Sequence, residues 1–169
     1  MGTTQRTMMK LALNKCKGWS ESYPKVQTRD MVLTGKSGLG KTYLLHCMAK
    51  VLLERGYHVI LLSAYRFLEI ARRTYLGRDN GDGEMESLME ADVLMIDDLG
   101  TEPFMENITI VQLFNLLNER QLANRATIIS TNLNEKDLRE RYTERVASRL
   151  LDKRTCTVIP FAGEDIRRM

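Results

Sequence analysis

The sequence predicts an α/β fold in which a five-stranded parallel sheet lies between helices. Three observations predict it. Short apolar runs that read as strands alternate with amphipathic, helix-length stretches. A glycine-rich turn, Gly35 to Thr42, joins the first of those runs to a helix. A later run, Val93 to Ile96, leads into Asp97 and Asp98. Such a strand end puts carboxylates at the C-terminal edge of a parallel sheet, beside the glycine-rich turn, where open sheets bind ligands.

Taken in order, Met8 to Cys16 alternates apolar and basic residues and reads as a helix, and Ser20 to Pro24 breaks the pattern. Met31 to Thr34 reads as strand one. Leu45, Met48, Ala49 and Leu52 then follow helical spacing, and Gly56 ends that helix. His58 to Ser63 reads as a second, buried strand. Tyr65 to Leu76 is the next helix, with Leu68, Ala71 and Tyr75 on one face, and Arg78 to Gly83 is a loop. Val93 to Ile96 is strand three. A helix follows Pro103 with Ile110, Leu113, Phe114 and Leu117 as its apolar stripe. Ala126 to Ser130 is strand four. Asn134 suits the N-cap of a short helix, and Thr143 that of the next, which carries Val146, Leu150 and Leu151. Thr155 to Phe161 is strand five. Residues 1–30 are thus a helical extension or linker, and residues 31–169 one domain.

The bulk properties narrow the function classes. Of 169 residues, 43% are hydrophobic and 28% charged, with a net charge of +3. This permits an anionic partner without requiring one. No apolar run approaches the roughly 20 residues that span a bilayer. The opening Met-Gly-Thr-Thr-Gln-Arg has no apolar signal core. The expected location is the cytoplasm. Cys16, Cys47 and Cys156 are scattered and read as reduced thiols, and His46 and His58 are isolated, so zinc is not expected.

The turn Gly35-Lys36-Ser37-Gly38-Leu39-Gly40-Lys41-Thr42 carries the chemistry. A triphosphate needs many donors close together and little side-chain bulk. The glycines let backbone N–H groups point inward as an anion nest, and the following helix adds its positive end. Lys41 reaches the β and γ phosphates, the Thr42 hydroxyl ligates magnesium, and Tyr43 completes the nucleotide contacts. Asp97 is the expected magnesium partner, acting through water, and Asp98 would polarise the attacking water. The expected ligands are therefore ATP or ADP with Mg²⁺.

With the P-loop, the Asp97-Asp98 strand end and Ser130-Thr131-Asn132 in this order, the chain resembles an AAA+ ATPase. More narrowly it is similar to the DnaC/DnaI-type helicase loaders and their IstB-like relatives, over about Met31 to Arg167. The likeness rests on Gly35 to Thr42, Leu94 to Gly100, Thr127 to Asn132, and Glu144 to Leu150. The resemblance implies that Asn132 holds the attacking water or γ-phosphate. It makes Arg149 an arginine finger into a neighbouring subunit, and Arg167 a sensor 2 residue contacting phosphate from its own chain. It also implies a lidless fold, because the chain ends soon after strand five. Many AAA+ proteins carry Glu where this chain has Asp98.

The resemblance further implies a slow ATPase, of bacterial or phage origin, that self-associates through its ATP site. It would assemble on single-stranded DNA and a replicative ring helicase. An IstB-like transposition helper and a non-hydrolysing assembly switch are the alternatives. Arg66, Arg72, Arg73 and Arg78 form a basic edge that reads either as part of a DNA channel or as a solvated face paired with Glu69. In such relatives the partner-binding part precedes the ATPase domain, so the chain reads as a fragment of a longer protein.

Overall fold

Alternating apolar side chains on each strand give the sheet two buried faces, and this decides the architecture. The computed structural model describes residues 5–78 and 83–165. Its elements run α1 (Gln5–Ser22), β1 (Asp30–Thr34), α2 (Lys41–Glu54), β2 (Val59–Ser63), α3 (Ala64–Tyr75), α4 (Glu84–Glu90), β3 (Val93–Leu99), α5 (Glu106–Leu122), β4 (Ala126–Thr131), α6 (Glu135–Leu150) and β5 (Cys156–Pro160). The five strands are all parallel, in the order β2-β3-β4-β1-β5. Met31, Leu33, Val93 and Met95 face a core shared with Ala12, Cys16 and Trp19 of α1 and Leu45, Met48 and Leu52 of α2. Val32, Leu94 and Ile96, one residue out of phase, face the core formed with α3, α4, α5 and α6. A strand buried on both faces is why these segments read as unbroken apolar runs.

Several sequence expectations are corrected. The first helix does not stop before Ser20 but continues to Ser22, because Trp19 and Ser20 are buried against the sheet-side core. Strand β2 is half-buried rather than buried, since it lies at one edge of the sheet. Tyr75 does not lie on the buried face of α3. It is half exposed, whereas Phe67, Ile70 and Ala71 supply that face. Helix α4, unforeseen by the sequence reading, fills the end of the Arg78–Asp92 stretch with Met85 and Leu88 buried. The caps fare well: Asn134 and Asp137 form a reciprocal capping box. The helical path breaks at Thr143, which has φ 69, where the second of two helices was expected.

Arg120 is fully buried in α5. Its guanidinium donates to the Leu88, Met89, Ala91 and Ala126 carbonyls and to the Thr127 hydroxyl. It therefore ties α4 and the turn leading into β3 to the start of β4.

Candidate active site

Strand β1, between β4 and β5, delivers the glycine-rich loop to the sheet's C-terminal edge. Thr34 pairs in register with Thr131 of β4 and Pro160 of β5. The Gly35 N–H donates to the Thr131 carbonyl at 3.2 Å, and the Thr34 hydroxyl to the Leu133 carbonyl at 2.8 Å. These bonds hold the loop and the Ser130-Thr131-Asn132 turn side by side. Leu39 is buried under the loop and anchors it.

Helix α2 begins at Lys41, preceded by Gly40 with φ 83, and has no side-chain hydrogen bond at its start and no acidic residue in its first turn. Gly38 and Gly40 both have positive φ, which a side-chain-bearing residue resists. The start of α2 is thus left uncapped and positive. Lys41 is buried to 4% exposure. Its ammonium donates to the Gly35 carbonyl at 2.5 Å, the Lys36 carbonyl at 2.8 Å and Asn132 Oδ1 at 2.9 Å. Burial lowers its pKa, while Asp98 and Asp97 pull it back up.

The carboxylates arrive on a β-bulge. Ile96 pairs with Ile129 and Leu99 with Thr131, so Asp97 and Asp98 together face Ser130. Asp98 takes φ 56, and its N–H donates to Ser130 Oγ at 2.9 Å. The Ser130 hydroxyl also donates to the Asp97 carboxylate. The Thr42 hydroxyl donates to Asp97 Oδ2 at 2.8 Å. A hydroxyl and a carboxylate this close form an oxygen donor set that suits a hard cation such as Mg²⁺. Ser37 to Tyr43 and Asp98 line one open cavity of about 370 Å³. An uncapped helix start, a buried ammonium and the adjacent oxygen pair fit a magnesium–nucleotide phosphate.

The structure therefore brings together Gly35, Lys36, Ser37, Gly38, Leu39, Gly40, Lys41, Thr42, Tyr43, Asp97, Asp98 and Asn132. Arg149 lies elsewhere. Its guanidinium donates to Asn118 at 2.9 Å and stacks on Phe114 of α5, 5.6 Å from the ring centre. Arg167 lies outside the described residues. On α3, Arg66 pairs with Glu69 and Glu84, and Arg73 with Glu84. Arg72 is exposed and, among the described residues, forms no ion pair. Sequence reasoning missed the part of Ser130, which connects both aspartates. Its signal was the apolar strand β4 ending in hydroxyl residues.

The loop, bulge and turn all fall within the span over which the chain matches known proteins. Residues 20–169 match the family described as IstB-like ATP binding protein. The replicative helicase loader DnaC of Escherichia coli strain K12 is 28% identical over 144 residues, covering 82% of this chain and 56% of that protein. An ATP-binding protein of insertion sequence IS1162 from Pseudomonas fluorescens is 30% identical over 111 residues, covering 63% of this chain and 45% of its own length. The chain thus spans about half the length of these relatives. A crystal structure of the DnaC helicase loader superposes with a TM-score of 0.79 at 20% identity, over 92% of this chain and 90% of that one, a likeness of fold. With a parallel P-loop fold and a match over residues 20–169, the chain belongs to the IstB-like ATP binding protein family of AAA+ ATPases.

Proposed function

We propose that this chain is the ATP-binding and ATP-hydrolysing domain, residues 31–169, of a helicase loader that acts in the bacterial or phage cytoplasm. The observation that carries the reading is the junction of Lys41 with Asn132 and of Thr42 with Asp97 at one sheet edge. Lys41 would leave its carbonyl partners for the β and γ phosphates, and Thr42 and Asp97 would hold Mg²⁺. Bound magnesium neutralises phosphate charge. Asn132 orients a water, and Asp98 takes its proton as the water oxygen bonds to the γ-phosphorus. The bond from that phosphorus to the bridging oxygen breaks, leaving ADP and phosphate. The catalysis is positional and electrostatic.

Arg149, parked on α5 away from its own loop, is free in placement to serve a neighbouring subunit's site. Arg167 would contact phosphate within its own chain. On this reading ATP favours assembly of subunits on single-stranded DNA and a ring helicase, and hydrolysis releases them. Arg72 offers the DNA contact on α3, with Arg66 and Arg73 available once their glutamates let go. A second reading is favoured by the insertion-sequence relative: the same machinery would serve a transposase. Tagged full-length protein with Mg-ATP should retain the replicative helicase from a mixture of purified helicase and transposase. Retention of the transposase alone would replace the first reading with the second.

A further inference from the structure

A short segment after β5 crosses the phosphate loop. The Phe161 N–H donates to the Thr34 carbonyl at 2.7 Å, and its side chain is buried with the α1 and α2 core. A Cβ built on Gly35 would collide with the Phe161 carbonyl, so segment and loop are in backbone contact. Farther along, Gln5 of α1 grips Glu164 through both ends of its amide. Its Nε2 donates to the Glu164 carbonyl at 2.8 Å, and its Oε1 accepts the Glu164 N–H at 3.0 Å. Gly163 lies against the same amide, where a Cβ would collide with it.

This clasp decides where the next residue falls. A Cβ on Gly38 would meet the carboxyl carbon and both oxygens of Asp165. Gly38, with φ 78, is the middle glycine of the loop. A carboxylate is a small, singly charged analogue of a phosphate oxygen pair. The uncapped start of α2 and the loop's N–H groups attract either one. Asp165 thus already touches the loop on which a phosphate would be held, beside the cavity lined by Ser37 to Tyr43 and Asp98.

We propose that Asp165, positioned by the Gln5–Glu164 clasp, is an internal anion that competes with nucleotide phosphate for the loop. ATP then binds only when residues 163–165 swing away. The proposal rests on the ATP reading above. It makes the start of α1 a control point: whatever draws Gln5 off Glu164 frees the loop for nucleotide.

The test compares the full chain with Asp165→Asn and Gln5→Ala by two measurements. The first is amide hydrogen exchange of residues 35–42 without nucleotide, which reports the contact itself. Both variants should exchange faster than wild type. The second is titration calorimetry with Mg-ATP. Affinity should rise about three- to tenfold in both variants, as expected if the open form is about a tenth to a third of the free protein. Unchanged exchange in both variants would show that the contact does not form, and would overturn the proposal. Faster exchange with affinity unchanged within about twofold would overturn the competition. If wild type and both variants all fail to bind ATP while exchange still changes, the ATP reading falls, and the competition with it, although the contact stands.

Discussion

Replacing Arg120 by Met tests how the N-terminal edge of the sheet, opposite the edge that bears Asp97, is held. The guanidinium is fully buried, and burial pulls its pKa down to about 10, still protonated at neutral pH. Its bonds run to the Leu88 carbonyl at 2.7 Å, Ala91 at 2.9 Å, Met89 at 3.2 Å and the Thr127 hydroxyl at 3.0 Å, with the Ala126 carbonyl in addition. Met refills the volume but donates nothing. Each lost bond costs about 1 kcal/mol net, and relief from burying a cation offsets part of the total. The expected loss is about 3 kcal/mol, a large share of a typical 5–15. Arg120→Lys keeps the charge but has three donors on one nitrogen, so about half that loss is expected. Urea unfolding followed by circular dichroism measures both, with the midpoint falling at constant slope. A Met variant within about 1 kcal/mol of wild type would refute the view that these acceptors depend on Arg120.

Asp97→Asn should weaken Mg-ATP binding, whereas Asp98→Asn should bind ATP nearly as wild type but turn it over more slowly, measured by calorimetry and phosphate release. Wild-type turnover in Asp98→Asn would remove its role on the water. Arg149→Ala should bind ATP yet lose any rise of specific activity with protein concentration. Mixing it with Lys41→Ala should restore some activity, since each supplies what the other lacks. A dead mixture of variants that still assemble would exclude action across subunits. Burial pushes the Cys16 and Cys156 thiols from an ordinary 9.0 up to about 12. Raised folded values mean that their stabilising contribution is complete below pH 9.0 and lost as pH climbs towards about 12. Stability should therefore fall over that window, and less steeply in Cys16→Ala, as read from urea midpoints against pH. Unchanged slopes would contradict the burial.

Much of this fold was legible because its signals are local. A strand apolar on both faces, a glycine loop and an aspartate pair each occupy fewer than ten neighbouring residues, and the structure joins them at one edge. What stayed hidden was long-range or rule-breaking. Leu113, Leu116, Leu117 and Arg120 keep helical core spacing, but the last of them is an arginine, and its acceptors lie on α4, on Ala91 just after it, and on β4. Helix α4 is seven residues long, too short for periodicity to separate it from a loop. The half-burial of β2 follows from strand order, which alternation of elements does not reveal. The grip of Gln5 on Glu164 spans 159 positions of chain.

The bulge at Asp97 and Asp98 bears on why an aspartate stands where many AAA+ proteins have glutamate. At φ 56 the backbone of Asp98 enters territory that asparagine and aspartate tolerate far better than longer side chains. The choice of acid at this position is then a matter of main-chain conformation before it is one of proton transfer. Glutamate here would cost about 1–2 kcal/mol of main-chain strain, unless the bulge straightened and released the bond from the Asp98 N–H to Ser130. The aspartate at 98 and the bonding hydroxyl at 130 thus support one another through the bulge.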